Sequence, residues 1–231
     1  MKRLRAGLLI AVALVLLQAA PVRAQQPLPR SLAATGDSLS LGTGSGPRYF
    51  ADSSAFSWAT GSDPAVNSLA LRIATRDGAL AGNVYNLARY GARAGDLYAQ
   101  MGVARAVGAE YVTVLIGGND ACAATERDMT PVETFRKQFA DAMAHLYEGR
   151  PQTRVLVMSI PDPTQLVGIL GGDRRARAVW EAFGVCQAAL ARPQSQARED
   201  VARRERVRQR VSDYNAALAE VCARHPGCRY D

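Results

Sequence analysis

The ten residues 111–120, YVTVLIGGND, decide the fold of this chain. Tyr111–Ile116 is an apolar run rich in β-branched side chains, which predicts a buried strand. Gly117-Gly118-Asn119-Asp120 follows directly and is a turn-forming sequence with two polar side chains. A buried strand that ends in such a turn is typical of a parallel sheet, whose strands end together at one edge.

Strand-like and helix-like segments alternate on both sides of this stretch. The pattern predicts strands at Ser31–Thr35, Val84–Leu87, Arg154–Ile160 and Cys228–Tyr230. It predicts helices at Asn67–Asp77, Ala94–Val107, Asp173–Leu190 and Arg198–Ala223. It predicts one more helix that Thr130 caps, that has Pro131 as its first residue and that ends near Glu148. Such alternation indicates an α/β fold with a parallel sheet and helices on both faces.

Polar motifs follow three of the predicted strands. They are Gly36-Asp37-Ser38-Leu39-Ser40, the segment NLARYG at residues 86–91, and Gly117-Gly118-Asn119-Asp120. Each motif alone is an ordinary turn, but the carboxyl ends of parallel strands bring all three together. A serine hydroxyl can attack a carbonyl carbon, and glycine amides with an asparagine amide can bind the oxyanion that forms. The combination therefore favours acyl transfer.

In these residues the chain resembles the SGNH, or GDSL, hydrolases, from Leu32 to about Arg229. The resemblance implies a flavodoxin-like three-layer α/β/α fold with a parallel sheet and with Ser38 as the nucleophile. It also implies an oxyanion hole made of the Ser38 N–H, the Gly91 N–H and the Asn119 side chain. Ser159-Ile160-Pro161-Asp162 and the later Trp180…Cys186 pattern are similar to a secreted bacterial branch of esterases and lipases.

The catalytic base is where the chain departs from that family, which carries it in a late Asp-x-x-His block. The chain has two histidines. His145 lies in a predicted helix before the fourth strand, and His225 has Cys222, not an aspartate, three residues before it. We expect neither to be the base. We therefore expect the fold to be truncated at its C-terminus, and the chain to be nearly inactive because it lacks the Asp and His.

The first residues predict export. Lys2, Arg3 and Arg5 precede the apolar run Ala6–Leu17, and a small residue, Ala24, ends the segment. This is the pattern of a signal peptide over residues 1–24, cut after Ala24. The run is too short for a stable membrane anchor. We expect a secreted or periplasmic protein whose residues 25–231 form one hydrolase domain, with a net charge that falls from +7 to +3 as four cations leave.

Four cysteines remain after that cut, and export permits disulfides. They are Cys122, Cys186, Cys222 and Cys228, and three pairings are possible. Cys222 and Cys228 could close a short loop, which would leave Cys122 with Cys186. We expect two disulfides and no metal site, because no Cys-x-x-Cys occurs and histidine is scarce. The arginine-rich segment 192–210 contains no aromatic residue and predicts a solvated helix face rather than a nucleic-acid site.

The leading functional hypothesis is a monomeric, cofactor-free serine ester hydrolase that acts through an acyl-enzyme on Ser38. Its substrate could be a lipid ester, a short acyl ester or an acylated polysaccharide. A non-catalytic carbohydrate- or lipid-binding module on the same fold is the alternative. The chain lacks the Gly-x-Ser-x-Gly elbow of α/β-hydrolases and the glycine fingerprint of dinucleotide-binding proteins.

Overall fold

The computed structural model describes residues 27–47, 53–77, 80 and 82–231. The predicted signal peptide and Gln25 lie outside these residues. Five parallel strands form one sheet in the order β2-β1-β3-β4-β5. Their bounds are β1 Leu32–Gly36, β2 Val84–Asn86, β3 Tyr111–Leu115, β4 Arg154–Val157 and β5 Cys228–Tyr230. This is the flavodoxin-like order. In it a crevice opens at the carboxyl ends of β1 and β3, because the chain leaves these neighbouring strands toward opposite faces of the sheet.

Helices connect the strands, as the alternation predicts. They are α1 Ser38–Leu41, α2 Leu69–Asp77, α3 Leu97–Ala106, α4 Gly118–Ala121, α5 Val132–Tyr147, α6 Gln165–Leu170, α7 Arg174–Ala182, α8 Gln187–Leu190 and α9 Arg198–Ala223. Short 3₁₀ turns occur at Ser54–Phe56, Ala94–Asp96 and Glu126–Asp128. Within the described residues no helix is long and apolar enough to cross a membrane.

The main core lies between one face of the sheet and the layer formed by α3, α5 and α9. Ala33, Val112 and Val155 point from successive strands into this layer, where Phe135 and Leu218 pack against them. On the opposite face α2 packs on the sheet through Ala70 and Ile73, which meet Leu32. Consecutive strand residues thus point to opposite faces. The sheet between two helical layers confirms the predicted α/β class.

One predicted helix is divided in two by a turn. The periodicity of Asp173–Leu190 predicts a single helix, but α7 ends at Ala182 and α8 begins at Gln187. Gly184 and Cys186 between them have positive φ angles of 59° and 46°. Cys186 is also bonded to Cys122, which fixes the point where the chain turns. A disulfide partner is not visible in helical periodicity, so the break was not predicted.

Thr130 was expected to cap α5, and this prediction is wrong. The helix begins two residues later at Val132, with Pro131 preceding it. The Thr130 hydroxyl instead donates a hydrogen bond of 2.7 Å to Oδ1 of Asp120. The predicted strand Arg154–Ile160 is also too long, since it ends at Val157. Ile160 leaves the sheet and exchanges backbone hydrogen bonds with the side-chain amide of Asn215 on α9.

Both disulfides form, with the pairs Cys122–Cys186 and Cys222–Cys228. The arginine-rich part of α9 is less solvated than expected. Arg206 forms ion pairs with Glu126 and Glu199, and the Arg203 side chain is only 13% exposed. Arg203 donates to the backbone carbonyls of the segment around α8. These arginines therefore join α9 to its neighbours as well as facing solvent.

Candidate active site

The turn after β1 places Ser38 at the carboxyl edge of the sheet. Gly36 has a φ of 127°, and a Cβ on it would lie 1.9 Å from the Leu115 carbonyl oxygen, so only glycine fits here. The Asp37 N–H donates to that same oxygen over 3.2 Å. Asp37 then caps α1, because its Oδ1 accepts from the Leu39 N–H at 2.9 Å. Ser38 is the first residue of α1 and is half-buried.

Gln100 on α3 hydrogen-bonds to the backbone of this turn. Its buried side-chain amide accepts from the Gly36 N–H at 2.7 Å and donates to the Gly36 carbonyl at 3.0 Å. It thus binds both polar groups of the residue that precedes Asp37 and Ser38. The sequence analysis missed this role. The signal that could have revealed it is a single amide side chain at an inward position of an otherwise apolar helix face.

The segment after β2 lies directly beside this turn. The Arg89 N–H donates to the Gly36 carbonyl at 3.1 Å, and the Ala92 N–H closes a turn onto the Arg89 carbonyl at 3.2 Å. Gly91 lies within that turn with a φ of 72° and is exposed. The second motif is therefore hydrogen-bonded, through Gly36, to the turn that carries Ser38.

The third motif follows β3 and joins the other two. Gly117 has a φ of 112° and starts the short helix α4, which carries Asn119. The Asn119 Nδ2 donates to the Ala92 carbonyl at 2.9 Å, one residue from Gly91. An amide nitrogen has two hydrogens, so the second hydrogen of Nδ2 is left for another acceptor. The three predicted site residues Ser38, Gly91 and Asn119 thus belong to turns that are hydrogen-bonded to one another.

Unused donors lie at this edge. Among the described residues, none accepts a hydrogen bond from the backbone N–H of Ser38 or of Gly91, and the Ser38 hydroxyl has no partner there either. Backbone N–H groups near a half-buried nucleophile are the donors that stabilise an oxyanion. The arrangement can therefore support nucleophilic attack on a carbonyl group.

Asp37 and Asp120 are the buried carboxyl groups of the first and third motifs, and both have raised pKa values. Burial raises the pKa of Asp37 from its ordinary 3.8 to about 6. The hydrogen bond from the Leu39 N–H lowers this pKa, and the nearby charge of Asp120 raises it further. Burial also raises the pKa of Asp120, while the Thr130 hydroxyl and the Ala94 N–H stabilise its ionised form. Asp120 accepts from both groups at 2.7 and 3.0 Å and so fixes the end of α4.

Neither histidine lies at this edge. His145 is near the C-terminal end of α5, where its ring stacks on Tyr98 at 4.1 Å. His225 follows α9 and precedes β5, and its ring stacks on Tyr147 at 4.6 Å. His225 lies between the end of α9 and the start of β5, at the amino edge of the sheet, whereas His145 lies within α5 at the level of Gly102 in α3. A five-residue strand such as β1 spans roughly 16 Å, which puts the His225 ring beyond direct reach of Ser38.

In the described part of the chain, no group of three or more His, Cys, Asp or Glu side chains is placed to hold a metal ion. A cavity of about 1300 Å³ lies at the amino edge of the sheet, and Arg150, Arg154 and Arg229 are among its lining residues. The chemistry-bearing motifs and this cavity are therefore at opposite ends of the sheet.

Comparison with known proteins agrees with this geometry. Residues 34–231 match the model of the GDSL-like lipase/acylhydrolase family, and the chain belongs to that family. Among solved structures it is similar to an extracellular lipase from Streptomyces rimosus, with 22% identity over 87% of this chain and 78% of that chain and a TM-score of 0.47. No curated protein matches the chain.

Proposed function

We propose that the protein is an exported serine ester hydrolase that acts through an acyl-enzyme on Ser38. The observation that carries this proposal is the pair of unpaired N–H groups, on Ser38 and Gly91, held next to the Asn119 amide by the bonds through Gly36 and Ala92. Membership of a lipase/acylhydrolase family supports ester substrates. The substrate could be a lipid, a short acyl ester or an acylated polysaccharide.

The proposed reaction has two steps. The Ser38 Oγ attacks the ester carbonyl carbon while a base takes its proton, and the negative oxygen that forms is bound by the three N–H donors. The carbon–oxygen bond to the alcohol then breaks, the alcohol leaves with a proton, and Ser38 keeps the acyl group. Water attacks the acyl-enzyme in the second step and releases the acid.

In the part of the chain that the structure describes, no histidine lies beside Ser38 to act as the base. The His145 ring stacks on Tyr98 and the His225 ring on Tyr147, and His225 is further disfavoured as a base because burial and Arg224 lower its pKa. Loss of the base of a serine triad typically costs about 10⁴- to 10⁶-fold in turnover. We therefore infer that residues 1–231 by themselves hydrolyse esters only slowly.

Export is supported by two independent features. Residues 1–24 have the signal-peptide pattern, and the disulfides Cys122–Cys186 and Cys222–Cys228 require an oxidising compartment. We propose that cleavage after Ala24 leaves residues 25–231 as a single secreted or periplasmic hydrolase domain, monomeric and without a membrane anchor.

A substitution at Ser38 tests the nucleophile. The gene product, with whatever residues are encoded after Asp231, should hydrolyse a chromogenic short-chain ester, and Ser38→Ala should lower the rate by at least about 10⁴-fold. Ser45→Ala, in the loop that follows α1, is the matched control and should keep the parent rate. Equal rates for Ser38→Ala and the parent would exclude Ser38 as the nucleophile.

The alternative is a binding module without catalysis, and the remote histidines favour it. A fluorophosphonate probe separates the two proposals because it reacts with an activated serine. Labelling at Ser38 supports the hydrolase. Carbohydrate or lipid binding without labelling, in the gene product as well as in residues 1–231, supports the binding module.

A further inference from the structure

Helix α6 is apolar, yet none of its residues is buried. Its sequence, QLVGIL, contains four large apolar side chains, and only Val167 packs partly against the core, in the cluster around Trp180. Ile169 is 71% exposed, and Leu166 and Leu170 are 36% and 38% exposed. A Cβ built on Gly168 would meet nothing within 4 Å, so this side of the helix is open among the described residues. Contiguous exposed apolar side chains mark an interaction surface.

Helix α7 adds cations beside these apolar side chains. Arg174 and Arg175 are exposed and form no ion pair within the described part of the chain. Val179, one turn after Arg175, is 39% exposed. The carboxylate of Asp173 is occupied at the start of α7, where it accepts from the Arg175 and Ala176 N–H groups. We call Leu166, Ile169, Leu170, Arg174, Arg175 and Val179 the α6–α7 surface.

The α6–α7 surface belongs to the same edge of the sheet as Ser38. The chain leaves the carboxyl end of β4 and passes through Ile160 before it reaches α6. The Ile160 side chain packs closely on Gly117, since a Cβ on Gly117 would lie 2.4 Å from the Ile160 Cδ1. Leu39 and Tyr90, the neighbours of Ser38 and Gly91, are also 49% and 69% exposed. Exposed apolar side chains therefore occur both next to Ser38 and Gly91 in the sequence and in the segment that follows the carboxyl end of β4.

We propose that the α6–α7 surface docks the protein on anionic lipid bilayers. Apolar side chains enter the boundary between headgroups and acyl chains, and neighbouring arginines bind the anionic headgroups. A symmetric contact with a second copy would place Arg174 and Arg175 of both protomers in one interface, and the four like charges would oppose that contact. Docking of this kind rests on the proposed ester hydrolase function, and it would bring Ser38 to lipid esters at the bilayer surface.

Vesicle binding tests the proposal without using Ser38. The probe is cosedimentation with vesicles of phosphatidylcholine alone and with 30% phosphatidylglycerol, a composition chosen to make the surface about one-third anionic. The wild type should bind the anionic vesicles and not the neutral ones. Ile169→Asp should weaken binding by about tenfold or more, and each of Arg174→Gln and Arg175→Gln by about fivefold. Ile169→Trp should strengthen it, because tryptophan favours the interface.

Val103→Asp is the matched control, since Val103 is 46% exposed on α3, away from this surface, and this variant should bind as the wild type does. Ser38→Ala should also bind normally, so failure of docking and failure of the hydrolase proposal are separate results. No binding to anionic vesicles, equal binding by Ile169→Asp and wild type, or equal loss in Val103→Asp would overturn the proposal. So would a dimer that Ile169→Asp dissociates.

Discussion

Asp37 stands between the end of β1 and the candidate nucleophile, and the residue is 1% exposed. Its pKa is raised to about 6 chiefly by burial, so the folded protein holds a proton on Asp37 at pH 5 that the unfolded chain has released. Stability gained from that proton is complete below about pH 4 and is lost as the pH rises to about 6. The loss amounts to roughly 2–3 kcal/mol.

Asp37→Asn removes this ionisation and should flatten the pH dependence. Urea unfolding at pH 4, 5, 6 and 7 should show the free energy of unfolding falling less steeply in Asp37→Asn than in the wild type. Part of the slope should remain, because burial also raises the pKa of Asp120. Asp141→Asn, which removes an exposed carboxylate paired with Lys137, should leave the slope unchanged. Parallel curves for wild type and Asp37→Asn would contradict the assignment.

Gly36 and Gly91 differ in why they are glycines. A Cβ at Gly36 would lie 1.9 Å from a backbone oxygen of β3, so Gly36→Ala must move β1 away from β3 and should cost about 4 kcal/mol or more. A Cβ at Gly91 would meet nothing within 4 Å, so Gly91→Ala carries only the left-handed backbone cost of about 1–2 kcal/mol. Urea unfolding of the two variants measures the difference. A similar loss of unfolding free energy in both variants would show that the close approach of Gly36 to Leu115 is not what makes an alanine at position 36 costly.

At the scale of elements, each disulfide joins a different pair. Cys122–Cys186 connects α4 to α8 across 64 residues, whereas Cys222–Cys228 connects α9 to β5 across 6. A longer loop loses more chain entropy on closure, which predicts contributions of about 4 and about 2 kcal/mol. Replacing each pair by alanines and measuring thermal unfolding tests this order. A larger loss from the Cys222 pair would mean that strain or local packing outweighs loop length.

The elements that the sequence predicted well are those with strong local patterns. Tyr111–Leu115 is a strand because a β-branched apolar run fits a sheet that is covered on both faces. The end of α7 and the capping of α5 depended on partners far away in sequence, Cys122 and Asp120, which periodicity does not contain. The same limit applies at the site: Ser38, Gly91 and Asn119 stand in visible motifs, but the role of Gln100 depends on a contact 64 residues away. Helix α6 was missed because it is short and mostly exposed.

At the scale of the whole molecule, the parallel sheet separates two groups that a serine triad must bring together. All three motif turns follow strand ends, while His225 follows α9 at the amino edge and His145 lies within α5, stacked on Tyr98. A five-residue strand such as β1 spans roughly 16 Å, which keeps His225 apart from Ser38 whatever the side-chain rotamers are. Local flexibility therefore cannot restore a direct contact between His225 and Ser38.

This separation predicts that an external base accelerates residues 1–231. Imidazole from solution should take the proton of the Ser38 hydroxyl and speed acylation, and we expect roughly a tenfold gain over buffer for a short-chain ester. Ser38→Ala corrects for direct hydrolysis by imidazole and should show no gain beyond it. His145→Ala and His225→Ala should respond to imidazole as the parent does, because neither ring reaches the nucleophile. If His225→Ala instead abolished the slow residual turnover, that histidine would have to approach Ser38, and the sheet could not be arranged as described.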